Sequence, residues 1–153
     1  MIDMKEDIFC MMVKSKVAAF KIYEDKNFIA ILDLYPNIKG QTLVISKRHL
    51  SGYVFDLNDK DLKELITAVK RVSKLLEAKL GVKRVHVVFE GTGINHLHAK
   101  LYPAIGLKEK YAEVCAKEKK HFNKYEGYVT TLTGPKANQK ELKKLQNKLT
   151  NTL

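Results

Sequence analysis

The sequence predicts an α+β fold built on an antiparallel sheet. Short β-rich runs come first, one long helix follows, then further strands and further helices, with no regular strand–helix alternation. Turn-forming residues separate the early strands, and a single apolar stripe at helical spacing occupies the middle of the chain. No internal repeat or Gly/Ser linker divides the 153 residues.

Val17 to Tyr23 and Phe28 to Leu34 read as two strands joined by Glu24-Asp25-Lys26-Asn27. Tyr35-Pro36-Asn37-Ile38-Lys39-Gly40 has turn chemistry, and Gln41 to Ser46 resumes a strand. Leu62, Leu65, Ile66, Val69, Val72, Leu76 and Leu80 then recur at steps of three and four, one face of a helix of about six turns. Asp56 or Asn58 can cap its start, and Gly81 stands where a helix commonly ends. Val82 to Glu90 is strand-like, Gly91-Thr92-Gly93 breaks it, and a last strand runs from Asn95 to Tyr102 until Pro103 stops the ladder. Beyond it the spacing predicts a helix over Lys108 to Phe122, a short strand over Tyr128 to Leu132 and a helix over Asn138 to Leu149. Residues 1–106 are expected to form the binding domain, with 107–153 a basic extension packed on it.

Hydrophobic residues at 45% and charged residues at 29% describe an ordinary globule rather than a disordered or fibrous chain. The longest apolar runs, Ile8 to Val13 and Phe28 to Leu32, fall far short of the roughly 20 residues a membrane span needs. Asp3, Glu6 and Asp7 have the wrong charge for a secretory leader, and Cys10 and Cys115 make no disulfide framework. A cytoplasmic protein is expected. The net charge is +11, and residues 104–153, with 11 bases and 5 acids, carry more than half of it. Such a surface attracts phosphate-bearing partners. Nucleic acid is one such partner, through the basic tail, although Arg48, Arg71 and Arg84 are few arginines for reading bases.

The chemistry concentrates in His96-Leu97-His98-Ala99-Lys100-Leu101-Tyr102-Pro103. Alternation along a strand puts His96, His98, Lys100 and Tyr102 on one face and Leu97, Ala99 and Leu101 on the other. Two imidazoles and an ammonium in a row suit a phosphorylated substrate: lysine neutralises oxyanions, and a neutral imidazole can attack phosphorus or move protons. The Gly91-Thr92-Gly93 turn can bring backbone N–H groups close to a phosphate. The bland alternative is a strand whose wet face happens to carry two histidines.

This segment resembles the histidine-triad motif, H-x-H-x-H followed by two residues and proline, with Pro103 in register. Asp7-Ile8-Phe9-Cys10 resembles the family's opening C-I-F-C, residues 21–25 and 28–34 its first hairpin, and residues 40–49 its G-H-T-L-V-I-P-K-x-H segment. The resemblance implies a five-stranded antiparallel sheet with a long helix, paired as a homodimer. It also implies a nucleotide hydrolase or transferase cleaving at the α-phosphate, through a nucleotidyl-histidine intermediate. A purine dinucleoside polyphosphate or nucleoside phosphoramidate would be the substrate. Carried over, His98 is the nucleophile, with His96 and Lys100 in the first and third triad places. Asp33 falls where the family's acid holds the ribose hydroxyls, Ile22, Ile31 and Leu34 where apolar side chains sandwich the base, and Thr92 where a glutamine contacts the phosphate.

Three departures stand out. Lys100 replaces the third histidine and titrates far above neutrality in water. Thr92 and Gly93 replace the family's glutamine and its neighbouring hydroxyl. They keep a second reading alive, a nucleotide-binding module without turnover, and the basic tail motivates a third, action on adenylylated nucleic-acid ends. Some relatives hold structural zinc through two N-terminal cysteines and two histidines. Here Asp7, Cys10, His49 and His96 occupy those places, all acceptable zinc ligands, but a structural zinc is not favoured: Cys10 reads more readily as an apolar filler, with no metal required.

Overall fold

The computed structural model describes residues 6–111 and 136–151. Five strands form one antiparallel sheet: β1 (Lys21–Glu24), β2 (Phe28–Leu32), β3 (Thr42–Ser46), β4 (Val85–Val88) and β5 (His98–Pro103), in the order β1-β2-β3-β5-β4. Among the described residues three α-helices accompany it, α1 (Ile8–Val13), α2 (Asp59–Leu80) and α3 (Gln139–Thr150). The α+β class and the antiparallel sheet are as the sequence predicts.

The period-two alternation of the strands sorts their side chains into two cores. Ala30, Leu32, Val44, Leu97, Ala99 and Leu101 meet Leu65, Ala68, Val69, Val72 and Leu76 of α2 on one face. Leu142, Leu145 and Leu149 of α3 complete that core. Ile29, Ile31, Leu43 and Ile45 face the other way and meet Phe9 of α1. That second face carries the cavity.

α2 starts where Asn58 accepts the Asp61 amide and stops at Gly81, whose φ of 67° is the left-handed conformation a side chain would resist. Asp61 is buried on this helix but paired with the Arg48 guanidinium. Ile66 departs from the predicted stripe and is exposed. No helix of the described residues is long and apolar enough to cross a membrane.

Several expectations need correction. Residues 8–13, read as a bare apolar run, are helix α1, with Asp7 accepting the Cys10 amide as its cap. Pro103 ends β5 from within, paired with Val85. Residues 108–111 are not helical, and the rest of the predicted 108–122 helix lies outside the described residues, as do the 128–132 strand, Cys115 and His121. The connection from β4 to β5 folds against the segment before α2. Gly91 has a φ of 63°, and a Cβ there would lie 2.0 Å from the Gly52 carbonyl oxygen, so only glycine fits.

Candidate active site

β5 sets the site. With Leu97, Ala99 and Leu101 sunk in the helix-side core, His98 and Lys100 face the other side of the sheet. His98 donates its Nδ1–H to the main-chain carbonyl of His96 at 2.7 Å. A carbonyl only accepts, so this fixes the tautomer and leaves the lone pair on Nε2. Phe9 packs against the ring, centroids 5.0 Å apart. Burial pushes the His98 pKa below its ordinary value; the His96 carbonyl opposes this and the Lys100 charge adds to it. A buried neutral imidazole with a defined lone pair is a competent nucleophile.

His96 belongs elsewhere. It is fully buried, does not line the cavity, and donates its Nε2–H to the Ser46 carbonyl at 2.8 Å. Its expected place beside the reacting phosphate is therefore corrected: its ring packs edge-on against Phe9 and turns to Asp7, Cys10 and His49 instead of the cavity.

A cavity of about 300 Å³ lies over His98 and Lys100. Asp33, Ile31 and Leu34 line it. Asp33 Oδ1 accepts the Tyr35 amide at 2.8 Å and Oδ2 accepts Gln41 Nε2 at 2.7 Å, which hold the carboxylate in one orientation with lone pairs to spare. Ile22 is not there. The β1–β2 register slips between Lys21 and Tyr23, and Ile22 sinks into the helix-side core instead. Thr92 is not on the wall either; its hydroxyl donates to Glu90 Oε1 at 2.8 Å.

Sequence reasoning missed much of the wall. Ile8, Phe9 and Met12 of α1 close one side, and Glu90, Gln41 and Leu43 complete the floor. The heptad-free run at 8–13 gave no helical signal, but Asp7 ahead of it, with the Cys10 amide in reach, is an N-cap that could have been found. Glu90 ion-pairs with Lys100. Burial would raise the Glu90 pKa, but the Lys100 and Thr92 hydrogen bonds outweigh it and bring it to about 2.

Behind His98, four side chains converge. Asp7 Oδ2 lies 2.9 Å from His49 Nδ1 and 3.0 Å from His96 Nδ1. Cys10 Sγ lies 3.5 Å from each of the same two nitrogens and 3.6 Å from Asp7 Oδ2. All four ligand atoms fall within 4.8 Å of one another. One thiolate, one carboxylate and two imidazoles at such spacing suit a tetrahedral zinc ion. His96 is prepared for that part, because the Nε2–H bond to Ser46 leaves Nδ1 unprotonated toward the cluster. Burial and the neighbouring Asp7 raise the Cys10 pKa, so an ion would have to displace the thiol proton. Cys10 is thus no mere apolar filler.

Comparison with known proteins points to one family for the chain. The HIT domain profile matches residues 14–103. A HIT-like protein of Methanocaldococcus jannaschii, itself uncharacterised, is 33% identical over 101 residues, which span 63% of this chain and 77% of that one. The adenosine 5′-monophosphoramidase HNT1 of Saccharomyces cerevisiae is 29% identical over 102 residues, spanning 63% of this chain and 61% of the yeast protein. The crystal structure of a hypothetical histidine triad nucleotide-binding protein from Sulfolobus tokodaii superposes with a TM-score of 0.70 at 24% identity, over 94% of this chain and 89% of that one. The likeness to that structure is one of fold.

Proposed function

The chain belongs to the HIT domain family, and from that membership we propose that it is a nucleotide hydrolase or transferase acting at the α-phosphate of a purine nucleotide derivative. The observation that carries this reading is the buried His98 ring, held by the His96 carbonyl with Nε2 unencumbered, in one cavity with Asp33 and Lys100. Asp33 accepts the ribose hydroxyls while Ile31 and Leu34, joined by Ile8 and Met12 of α1, enclose the base. His98 Nε2 attacks phosphorus, and the electron pair of the broken bond leaves with the departing group. Lys100 neutralises phosphoryl oxygen charge. Water then cleaves the nucleotidyl–histidine bond and returns His98 to its starting state.

The yeast relative's name gives a nucleoside phosphoramidate as the first substrate to try, with a dinucleoside polyphosphate second. Asp7, Cys10, His49 and His96 would hold a zinc ion, which would contribute structure by tying the start of α1 to the segment just before β5. The outer edge of β4 pairs with no strand among the described residues, and Val87 on it is exposed, which favours pairing of two copies into a homodimer. A binding module without turnover is the second reading, favoured by Lys100 being engaged with Glu90.

The test is covalent trapping. Incubation with a phosphoramidate labelled in its adenylate should leave an acid-labile adduct on His98, and His98→Ala should lose adduct and turnover while still binding AMP. Retention of a tenth of the wild-type rate by His98→Ala removes His98 from the role. Nucleotide binding without adduct or turnover in the wild type establishes the binding module.

A further inference from the structure

Lys100 does not stand free in the cavity. Its ammonium pairs with Glu90, and both side chains are largely buried, 20% and 16% exposed. Glu90 spends its second oxygen on the Thr92 hydroxyl and therefore stays where it is. Its pKa of about 2 keeps it ionised across the neutral range.

The strand register shows where this carboxylate stands. Ile31 pairs with Leu43 and Leu43 with Lys100, so the three lie side by side across the cavity face, with Ile45 and His98 as the neighbouring pair. Asp33 follows directly on β2, and Gln41, its hydrogen-bond partner, directly precedes β3. On the far side of β5, Val88 of β4 pairs with Lys100, and Glu90 comes two residues later. Asp33 and Glu90 thus flank the His98–Lys100 strand from opposite sides. Besides His98, the wall holds two carboxylates and one ammonium. Carboxylates outnumber the ammonium, and the side away from Asp33 is the one where Glu90 sits.

We infer that Glu90 selects the leaving group, favouring substrates whose α-phosphorus bears an amine, above all a cationic one, over substrates whose α-phosphate continues into a polyphosphate. The inference rests on the proposed roles of His98 and Asp33. With the ribose at Asp33 and phosphorus at His98, the remaining substituent extends to the Glu90 side. A polyphosphate there competes with Glu90 for the Lys100 ammonium and sets several negative charges against the carboxylate, where repulsion is poorly screened. An amine brings no such charge, and an ammonium further along it is attracted. In the favoured reaction, the His98 Nε2 lone pair forms the N–P bond and the P–N bond to the amine breaks with its electron pair on the amine nitrogen, which takes up a proton from solvent as it leaves. Water then adds to phosphorus and frees His98. Over the cycle, one water supplies the oxygen of the nucleoside monophosphate dianion and both protons that convert the departing amine into its ammonium ion.

The experiment compares kcat/KM of the full chain on two substrates, the adenosine 5′-phosphoramidate of 1,2-diaminoethane and diadenosine tetraphosphate. Wild type should prefer the phosphoramidate; preference for the tetraphosphate overturns the inference without need of any variant. Glu90→Gln should lower the ratio of the two kcat/KM values by about tenfold or more, the loss of one poorly screened charge contact. Glu90→Asp, which keeps the carboxylate, should hold the ratio within about threefold. A ratio unmoved by Glu90→Gln overturns the inference. If wild type turns over neither substrate, the hydrolase reading fails, and Glu90 is judged on equilibrium binding alone. Glu90→Gln should then tighten ADP relative to AMP by about tenfold. Equal relative affinities in variant and wild type end the assignment.

Discussion

The His96 main chain holds the His98 ring: the carbonyl of one accepts the Nδ1–H of the other at 2.7 Å. His96 turns its own ring to the opposite purpose, giving Nε2–H to Ser46 and presenting Nδ1 to Asp7, Cys10 and His49. Two histidines separated only by Leu97 thus occupy opposite tautomers and serve two different places, a cavity and a ligand cluster.

Asp33 should account for recognition of the sugar. Asp33→Ala is expected to weaken AMP binding by about 1.5–3 kcal/mol, the usual worth of hydrogen bonds to a charged group. Gln41→Ala should cost less, about 1 kcal/mol, because the Tyr35 amide still orients the carboxylate. Calorimetric titration checks both, and a 2′,3′-dideoxy nucleotide should bind Asp33→Ala and wild type alike. Continued preference of Asp33→Ala for the ribose hydroxyls would give Asp33 another role.

Lys100 helps ground state and transition state together, since phosphoryl oxygens face it in both. Lys100→Met should raise KM and lower kcat, with kcat/KM falling on the order of tenfold to a hundredfold. Lys100→His should keep turnover of a phosphoramidate, whose amine needs a proton on leaving. Steady-state kinetics on the three proteins decide this, and wild-type rates in Lys100→Met would sink the phosphate-clamp role.

The four-residue cluster should bind one zinc ion per chain, measured by atomic absorption after dialysis. Cys10→Ser and Asp7→Ala should each lower zinc affinity by about tenfold or more. Zinc should also raise the melting temperature of wild type more than that of either variant. Full occupancy in Cys10→Ser would exclude the thiolate from the ligand set.

Glu90 predicts an acid-sensitive contribution to stability. Its folded pKa of about 2 lies below the ordinary 4.5, so the folded state prefers the ionised form. The contribution is therefore complete above about pH 4.5 and is lost as pH falls toward 2, and its ceiling is about 3 kcal/mol. Urea unfolding of wild type and Glu90→Gln should show a stability gap that shrinks through this window. A gap independent of pH would mean that the Lys100 pair is not its source.

What the sequence made legible was what local pattern determines. The α2 stripe and its Gly81 stop follow from spacing and cap chemistry, which also narrowed its cap to Asp56 or Asn58, and Asn58 is the one used. The burial of Leu97, Ala99 and Leu101 opposite His98 and Lys100 follows from alternation. What escaped depends on contacts between distant residues. Ile22 left the cavity because of a register slip that no single strand announces. Thr92 turned to Glu90, and Glu90 to Lys100 ten residues on, through a loop whose path depends on Gly91 lying against Gly52. Helix α1 escaped because six apolar residues carry no period.

That helix is too short to hold its turns in water by itself. Ile8, Phe9 and Met12 give the cavity one wall, while Asp7 and Cys10, from the same turns, face His49 and His96. The wall and the ligand cluster are therefore ordered or lost together. Occupancy of either must feed the other by the same factor in both directions, as linked equilibria require. A chelator should then weaken nucleotide affinity from a place the nucleotide never touches.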